Sequence, residues 1–156
     1  MSDIQAGHEK TLTALLPALT GSSIIYGMGL LEMGICFCYT QLLIDREFVR
    51  MVRRVMQGIA VNEDTLATEV INAVGAGGNY LMQEHTIKHM RQEHSRAGLI
   101  DRRTRKGWEE LGGSDMTVRA KEEALAILAA HRPEPLAPAV AGQIRKIVRD
   151  AEEELL

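Results

Sequence analysis

One stretch of this chain reads as a β-strand, and nearly everything around it reads as helix. "SSIIYGMG", residues 22–29, is short, β-branched and aromatic and ends in glycine, the pattern of a strand. Apolar residues stand on both faces, as in a parallel strand covered by helices, so a strand is expected over 23–31. A lone strand carries unpaired backbone groups along both edges and is not stable by itself. Either the stretch is helical, or its neighbouring strands lie outside this chain. A complete (β/α)₈ barrel takes about 250 residues, more than the 156 present. The sequence reads like the end of something larger.

The helices are legible from periodicity and punctuation. Ser2 or Asp3 caps a first helix with a stripe of Leu12, Leu15, Leu16 and Leu19, and Gly21 stops it. A second runs from Tyr39 to Gln57, with Leu42, Val49, Val52 and Met56 on one side. Asn62 caps a third, "EDTLATEVINAV", closed by Gly75. "EHTIKHMRQEHSR" and "DRRTRKGWEEL" follow, then "MTVRAKEEALAILAAH" opened by Ser114 or Asp115. A last amphipathic helix carries Val140, Ile144, Ile147, Val148 and Ala151. The expected division is 1–132, a Pro-rich linker at 133–139, and a C-terminal helix at 140–156.

Bulk properties exclude several classes. A formal charge of -3 gives no electrostatic case for nucleic acid, which wants a clustered basic excess. Cys36 and Cys38, two residues apart, form no disulfide framework, so small buried apolar roles and a reducing cytoplasm are expected. "MSDIQAGHEK" shows neither an apolar core nor an Arg-rich amphipathic presequence. Residues 21–44 are long enough for a membrane span. Against a span stand Glu32 at mid-depth, which costs roughly 2.5–3.5 kcal/mol on insertion scales, several glycines, and Asp45-Arg46 just after. No membrane partner is expected.

Phosphate-binding motifs fail on spacing. After Gly27-x-Gly29, the third fingerprint position holds Glu32, whose charge repels pyrophosphate, and Tyr80 stands where a glycine should follow Gly77-Gly78. Glu32 is more informative. A lone acid in an aliphatic segment is paired, protonated or functional, and at the carboxyl end of a barrel strand it would face the active-site mouth. The alternative is a capping or salt-bridged loop glutamate. His85 and His89 are four apart and share a helix face, a spacing open to a metal with Glu84 or His94 as third ligand. The motif is not HExxH, since Thr86 follows His85, and paired histidines on a charged helix are more often solvated. No metal is assigned. Trp108 and Leu111, three apart on a short helix, are expected in the core.

Five segments in order carry a resemblance: "SDIQAGHEKTLTALLPALTGSSIIYGMGLLEMG", "LIDREFVRMVRRVMQGI", "GAGGNYLMQEHTIKHMR", "LIDRRTRKGWEELGG" and "AILAAHRPEPL". Together they resemble the C-terminal part of the trimethylamine methyltransferase family, the MttB-type corrinoid methyltransferases. The resemblance covers nearly the whole chain. It implies a mainly α segment with at most one or two short strands, from the C-terminal end of a (β/α)₈ TIM-barrel methyltransferase. It also implies methyl transfer from a methylated amine, trimethylamine or a quaternary amine such as glycine betaine, to the Co(I) of a corrinoid (cobalamin) carried by a partner protein. No cofactor held tightly by this chain is expected, and a homo-oligomer is. The pyrrolysine of the archaeal enzymes is expected before this chain begins.

On this resemblance Glu32 is the catalytic candidate, helping to hold the ammonium group at the mouth of a late strand. Tyr26 is the aromatic candidate for that cation. Gly27 and Gly29 would leave room for the corrin ring or the substrate, because no side chain blocks approach. Gly77, Gly78, Asn79 and His85 are assigned to the same mouth. The rival reading is a catalytically inactive helical module that docks a partner through exposed strand edges or apolar helix faces.

Overall fold

The computed structural model describes residues 1–95 and 98–155. Eight helices and two very short strands are described: α1 (Ile4–Leu19), β1 (Leu30–Leu31), β2 (Cys36–Phe37), α2 (Tyr39–Met56), α3 (Glu63–Leu66), α4 (Thr68–Val74), α5 (Glu84–Glu93), α6 (Arg105–Glu110), α7 (Met116–Ala130) and α8 (Pro138–Leu155). The mainly helical expectation holds. By internal contacts the chain divides into Met1–Leu125 and Ala126–Leu156.

A strand over 23–31 is expected either to pair outside this chain or to be lost without its neighbours, and within this chain it is lost. Residues 24–27 have no regular structure, and pairing begins at Leu30. Leu30 then faces Phe37 and Leu31 faces Cys36 in an antiparallel hairpin. The reason is the one that made a lone strand suspect: none of the described residues offers 22–29 a strand edge. The next segment folds back locally instead, and the backbone is satisfied by two-residue strands.

Capping chemistry sets most helix starts as read. Asp3 accepts from the Ala6 amide at 2.9 Å, and Asp115 accepts from the Val118 amide at 2.9 Å. Asn62 and Thr65 form a reciprocal capping box, with bonds of 2.9 and 3.0 Å. The single helix expected after Asn62 is broken, however. Ala67 takes a left-handed conformation (φ 52°) and separates α3 from α4, without a glycine to announce the break. The fourth expected helix stops at Glu93, and its last residue, Arg96, lies outside the described residues.

The core is small and sits where α2 and α7 approach the loop at Leu99. Leu43, Ile44, Leu99, Ala120 and Ala124 are buried together, with Phe48 and Met116 packed on them. The leucine stripe of α1 is poorly covered: Leu12, Leu16 and Leu19 are exposed, and only Ala18 of that helix is buried. Cys36 is exposed, Cys38 half-buried, and both thiols are free. That departs from the expected buried pair, because the hairpin has no layer over its outer face. Leu111 is 65% exposed, also against expectation, while Trp108 is half-buried and donates its indole N–H to the Ser114 carbonyl at 2.8 Å. No helix among the described residues is long and apolar enough to cross a membrane.

Candidate functional site

Two glycines of the 22–29 segment are tied to the helices by a buried ion pair. Asp45 of α2 is 4% exposed. Its Oδ2 accepts from Lys10 Nζ at 2.8 Å and from the Gly29 amide at 2.8 Å, while Oδ1 accepts from Gln41 Nε2 at 2.7 Å. Lys10 of α1 also donates to the Gly27 carbonyl at 2.9 Å. One carboxylate and one ammonium thus hold α1, α2 and the irregular segment together, and each charge is matched by the other and by hydrogen bonds. Neither Lys10 nor Asp45 stood out in the sequence reading. A signal was present: Asp45 interrupts the apolar stripe, three residues after Leu42 and four before Val49.

Above this pair lies an open cleft of about 580 Å³, between α1, α2 and the irregular segment, with Tyr26, Gly27, Phe48 and Val52 among its lining residues. Most of its walls are apolar, and Asp45 at the edge is already neutralised by Lys10. Tyr26 is 90% exposed. The two glycines differ. Gly27 (φ 105°) has open space where a side chain would start. Gly29 (φ 76°) does not: a Cβ there would lie 2.8 Å from the Phe37 ring and 3.1 Å from Leu42. Its missing side chain lets β2 pack close to α2, so the room expected for a ligand exists beside Gly27 and is filled beside Gly29.

Glu32 sits at the hairpin tip, exposed, and is not among the residues lining this cleft. Both Glu32 and Met33 have φ 53°, a left-handed conformation that costs a side-chain-bearing residue about 1–3 kcal/mol. The Glu32 carboxylate accepts from the Cys36 thiol at 2.9 Å. That bond, which only the protonated thiol can donate, followed by slight desolvation, holds the thiol above its ordinary pKa.

The remaining candidates lie elsewhere. Gly77, Gly78 and Asn79 form the turn between α4 and α5 and are not among the cleft's lining residues. A side chain on Gly78 would strike the Val74 carbonyl at 2.5 Å, and Asn79 caps the following turn by accepting from the Leu81 amide at 2.9 Å. These are folding roles. His85 of α5 lies within 2.6 Å of the Asp64 carbonyl and, with Glu63 and Asp64, lines a second cleft.

A second buried charge was equally invisible in the sequence. Glu47 is 1% exposed and accepts from the Gly98 amide at 2.7 Å and from Arg50 at 3.0 Å. Arg46 beside it reaches Glu123 of α7 at 2.9 Å. Arg119 of the same helix donates to the Leu99 carbonyl at 2.7 Å and also to the Ser114 carbonyl. These bonds hold α2, the loop at 98–99 and α7 around the small core.

Comparison with known proteins gives a consistent picture. A family model described as trimethylamine methyltransferase (MTTB) matches residues 1–155. A trimethylamine methyltransferase of Desulfitobacterium hafniense (strain DSM 10664 / DCB-2) is 47% identical over 97% of this chain and 30% of its own length. One from Methanosarcina mazei is 39% identical over the same shares. A glycine betaine methyltransferase of Desulfitobacterium hafniense (strain Y51) is 30% identical over 98% of this chain and 32% of its own length. The chain therefore spans about 30% of the length of the curated relatives it matches.

Proposed function

The chain belongs to the trimethylamine methyltransferase family, and from that premise we propose that it is the segment of a methyltransferase that positions a methylated amine for transfer of one methyl group. The observation that carries this reading is the family match across residues 1–155. The cleft supports it, since an apolar, aromatic-edged space suits methyl groups and a quaternary nitrogen, which has no N–H to donate. The amine is trimethylamine or a quaternary amine such as glycine betaine, and the enzyme is a (β/α)₈ barrel of which this chain supplies the C-terminal part.

The methyl acceptor in this proposal is the Co(I) of a corrinoid held by a separate protein, which supplies the nucleophile. The substrate would react as an ammonium, quaternary or protonated trimethylamine, so that the C–N electron pair stays with nitrogen and a neutral amine leaves, while the corrinoid would supply the electron pair of the new bond to the methyl group. This chain's work is positioning and electrostatics. The Lys10–Asp45 pair fixes the backbone at Gly27 and Gly29. Gly27 leaves the approach clear, Tyr26 presents an aromatic face, and Glu32, outside the cleft lining in this chain by itself, supplies its negative charge from the hairpin tip in the assembled barrel.

The test uses a family-length enzyme carrying this segment, mixed with cob(I)alamin. Added trimethylamine or glycine betaine is expected to give the visible spectrum of methylcobalamin, and no change across a broad amine panel would sink the proposal. Glu32→Gln is expected to weaken amine use by about 10-fold or more, the loss of one charge-assisted contact, with the enzyme still folded. Unchanged amine use in that variant removes Glu32 from the site.

A second reading is favoured by one observation, the apolar surface left bare: Ile24 is 82% exposed, Ile35 78% and Ile147 67%. In this reading the chain by itself is an inactive helical module that associates through those faces. Light scattering separates the two. A stable monomer with a cooperative melt and no apolar-dye binding argues against the module.

A further inference from the structure

We propose that Asp64, His85 and His89 form a divalent transition-metal site, of the kind that takes Zn²⁺, joining α3 to α5 and independent of the methyl-transfer reading above. The two histidines stand one helical turn apart on α5, and the carboxylate comes from α3, 21 residues before His85. One ligand atom from each lies within 4.8 Å of the others. His89 Nε2 is 3.3 Å from Asp64 Oδ2, and His85 Nε2 is 3.9 Å from Asp64 Oδ1. In a tetrahedral site with metal–ligand bonds of about 2.0–2.1 Å, ligand atoms stand roughly 3.3–3.4 Å apart. His89 Nε2 already stands at that spacing from one Asp64 oxygen, His85 Nε2 lies nearer the other oxygen, and the triad as a whole closes from within 4.8 Å when a metal binds.

Two further features favour a ligand there. His89 Nε2 is buried and has no hydrogen-bond partner, although the Asp64 carboxylate is close by. A buried ring nitrogen left unpaired costs free energy that a metal bond would remove. The His85 and His89 rings are also only 4.2 Å apart, centre to centre. That separation brings two ring nitrogens of one helix face to a common point, as a metal site with two histidine ligands needs.

Lys88 Nζ donates to Asp64 Oδ2 at 2.9 Å. In the metal-free state Lys88 balances that charge. Metal binding displaces it and replaces the bond between His85 and the Asp64 carbonyl. Three protein ligands leave a fourth position open. Beside the cluster is a cleft of about 480 Å³ lined by Glu63, Thr68 and Glu69 as well as Asp64 and His85. Water occupies the open position, or one of those carboxylates closes it.

The experiment is a titration of the chelator-treated full chain with Zn²⁺ alone, read by calorimetry and by ¹⁵N NMR of the histidine side chains. The expected result is one equivalent bound, with ring-nitrogen shifts at His85 and His89 among the five histidines. His89→Gln and Asp64→Asn, checked for retained helicity, are each expected to weaken binding by at least about 10–100-fold, the range seen even for outer-shell partners. The NMR readout needs no variant, so the proposal stays testable if one fails to fold. No binding overturns it, as do shifts confined to His8, His94 or His131, or binding lost only when Cys36 and Cys38 are replaced by serine.

Discussion

At the scale of single residues, the hairpin tip holds the clearest departures from relaxed geometry. Met33 is fully exposed and has φ 53°, so its side chain adds strain and gains no packing within this chain. Met33→Gly is expected to raise stability by about 1 kcal/mol in urea melts; a loss would mean that the side chain packs on something. Cys36 reports on its neighbour. Its thiol donates to the Glu32 carboxylate and its pKa is raised, so this contact stabilises the fold below the ordinary thiol pKa and is lost as pH rises through the raised value. In a Cys38→Ser background, Glu32→Gln is expected to shift the pH–rate profile of Cys36 alkylation to lower pH. An unmoved profile would mean the thiol and carboxylate are apart in solution. Little of this was legible beforehand. A left-handed Glu32 and a bond from the Cys36 thiol to its carboxylate are outcomes of where the hairpin turns, and no glycine or proline marks the first.

At the scale of elements, α1, α2 and the 22–29 segment behave as one unit because a single ion pair joins them. Removing one partner of a buried pair costs about 3–5 kcal/mol, since the other charge is left uncompensated. Asp45→Ala is therefore expected to destabilise Met1–Leu125 by about 3 kcal/mol and to unpin Gly27 and Gly29, seen as faster amide exchange at Gly29. The two glycines separate packing from mere conformation. Gly29→Ala is expected to cost about 1–3 kcal/mol more than Gly27→Ala, because the first meets Phe37 and Leu42 and the second meets open space. Equal losses would mean that positive φ alone matters at both. Helix starts were readable because caps are local chemistry: Asp3, Asn62 and Asp115 bond amides three residues away. The 22–29 stretch stays unpaired because a parallel strand needs neighbours distant in sequence, and none of the described residues offers it an edge.

At the scale of the whole molecule, the outstanding quantity is exposed surface. The chain exposes 12631 Å², where a folded monomer of its mass exposes about 7,800 Å². Apolar residues are part of that surface, among them Leu12, Leu16 and Leu19 of α1 and Val140, Ile144, Ile147 and Val148 of α8. By itself the chain is expected to bind an apolar dye and to sediment heavier than 17.3 kDa. A sharp monomer at high concentration would show that these faces are solvated by choice of conformation. The amphipathic patterns were correct as patterns, in that apolar residues recur at helical spacing. Their coverage was not readable, because period tells which residues share a face and says nothing of what meets it.

What the sequence determined by itself, then, is what depends on residues within a turn or two of one another: the helical content, most of the helix starts, the glycine stops, and the family membership that ordered motifs carry. The tertiary structure alone decided which charges are buried or paired, and with whom. Lys10 with Asp45, Glu47 with the Gly98 amide, and Asp64 with His85 and with His89 are each separated by 21 to 51 residues. A charged side chain tolerates burial only when a distant partner arrives to match it, and that arrival is a property of the folded chain, not of any window along it.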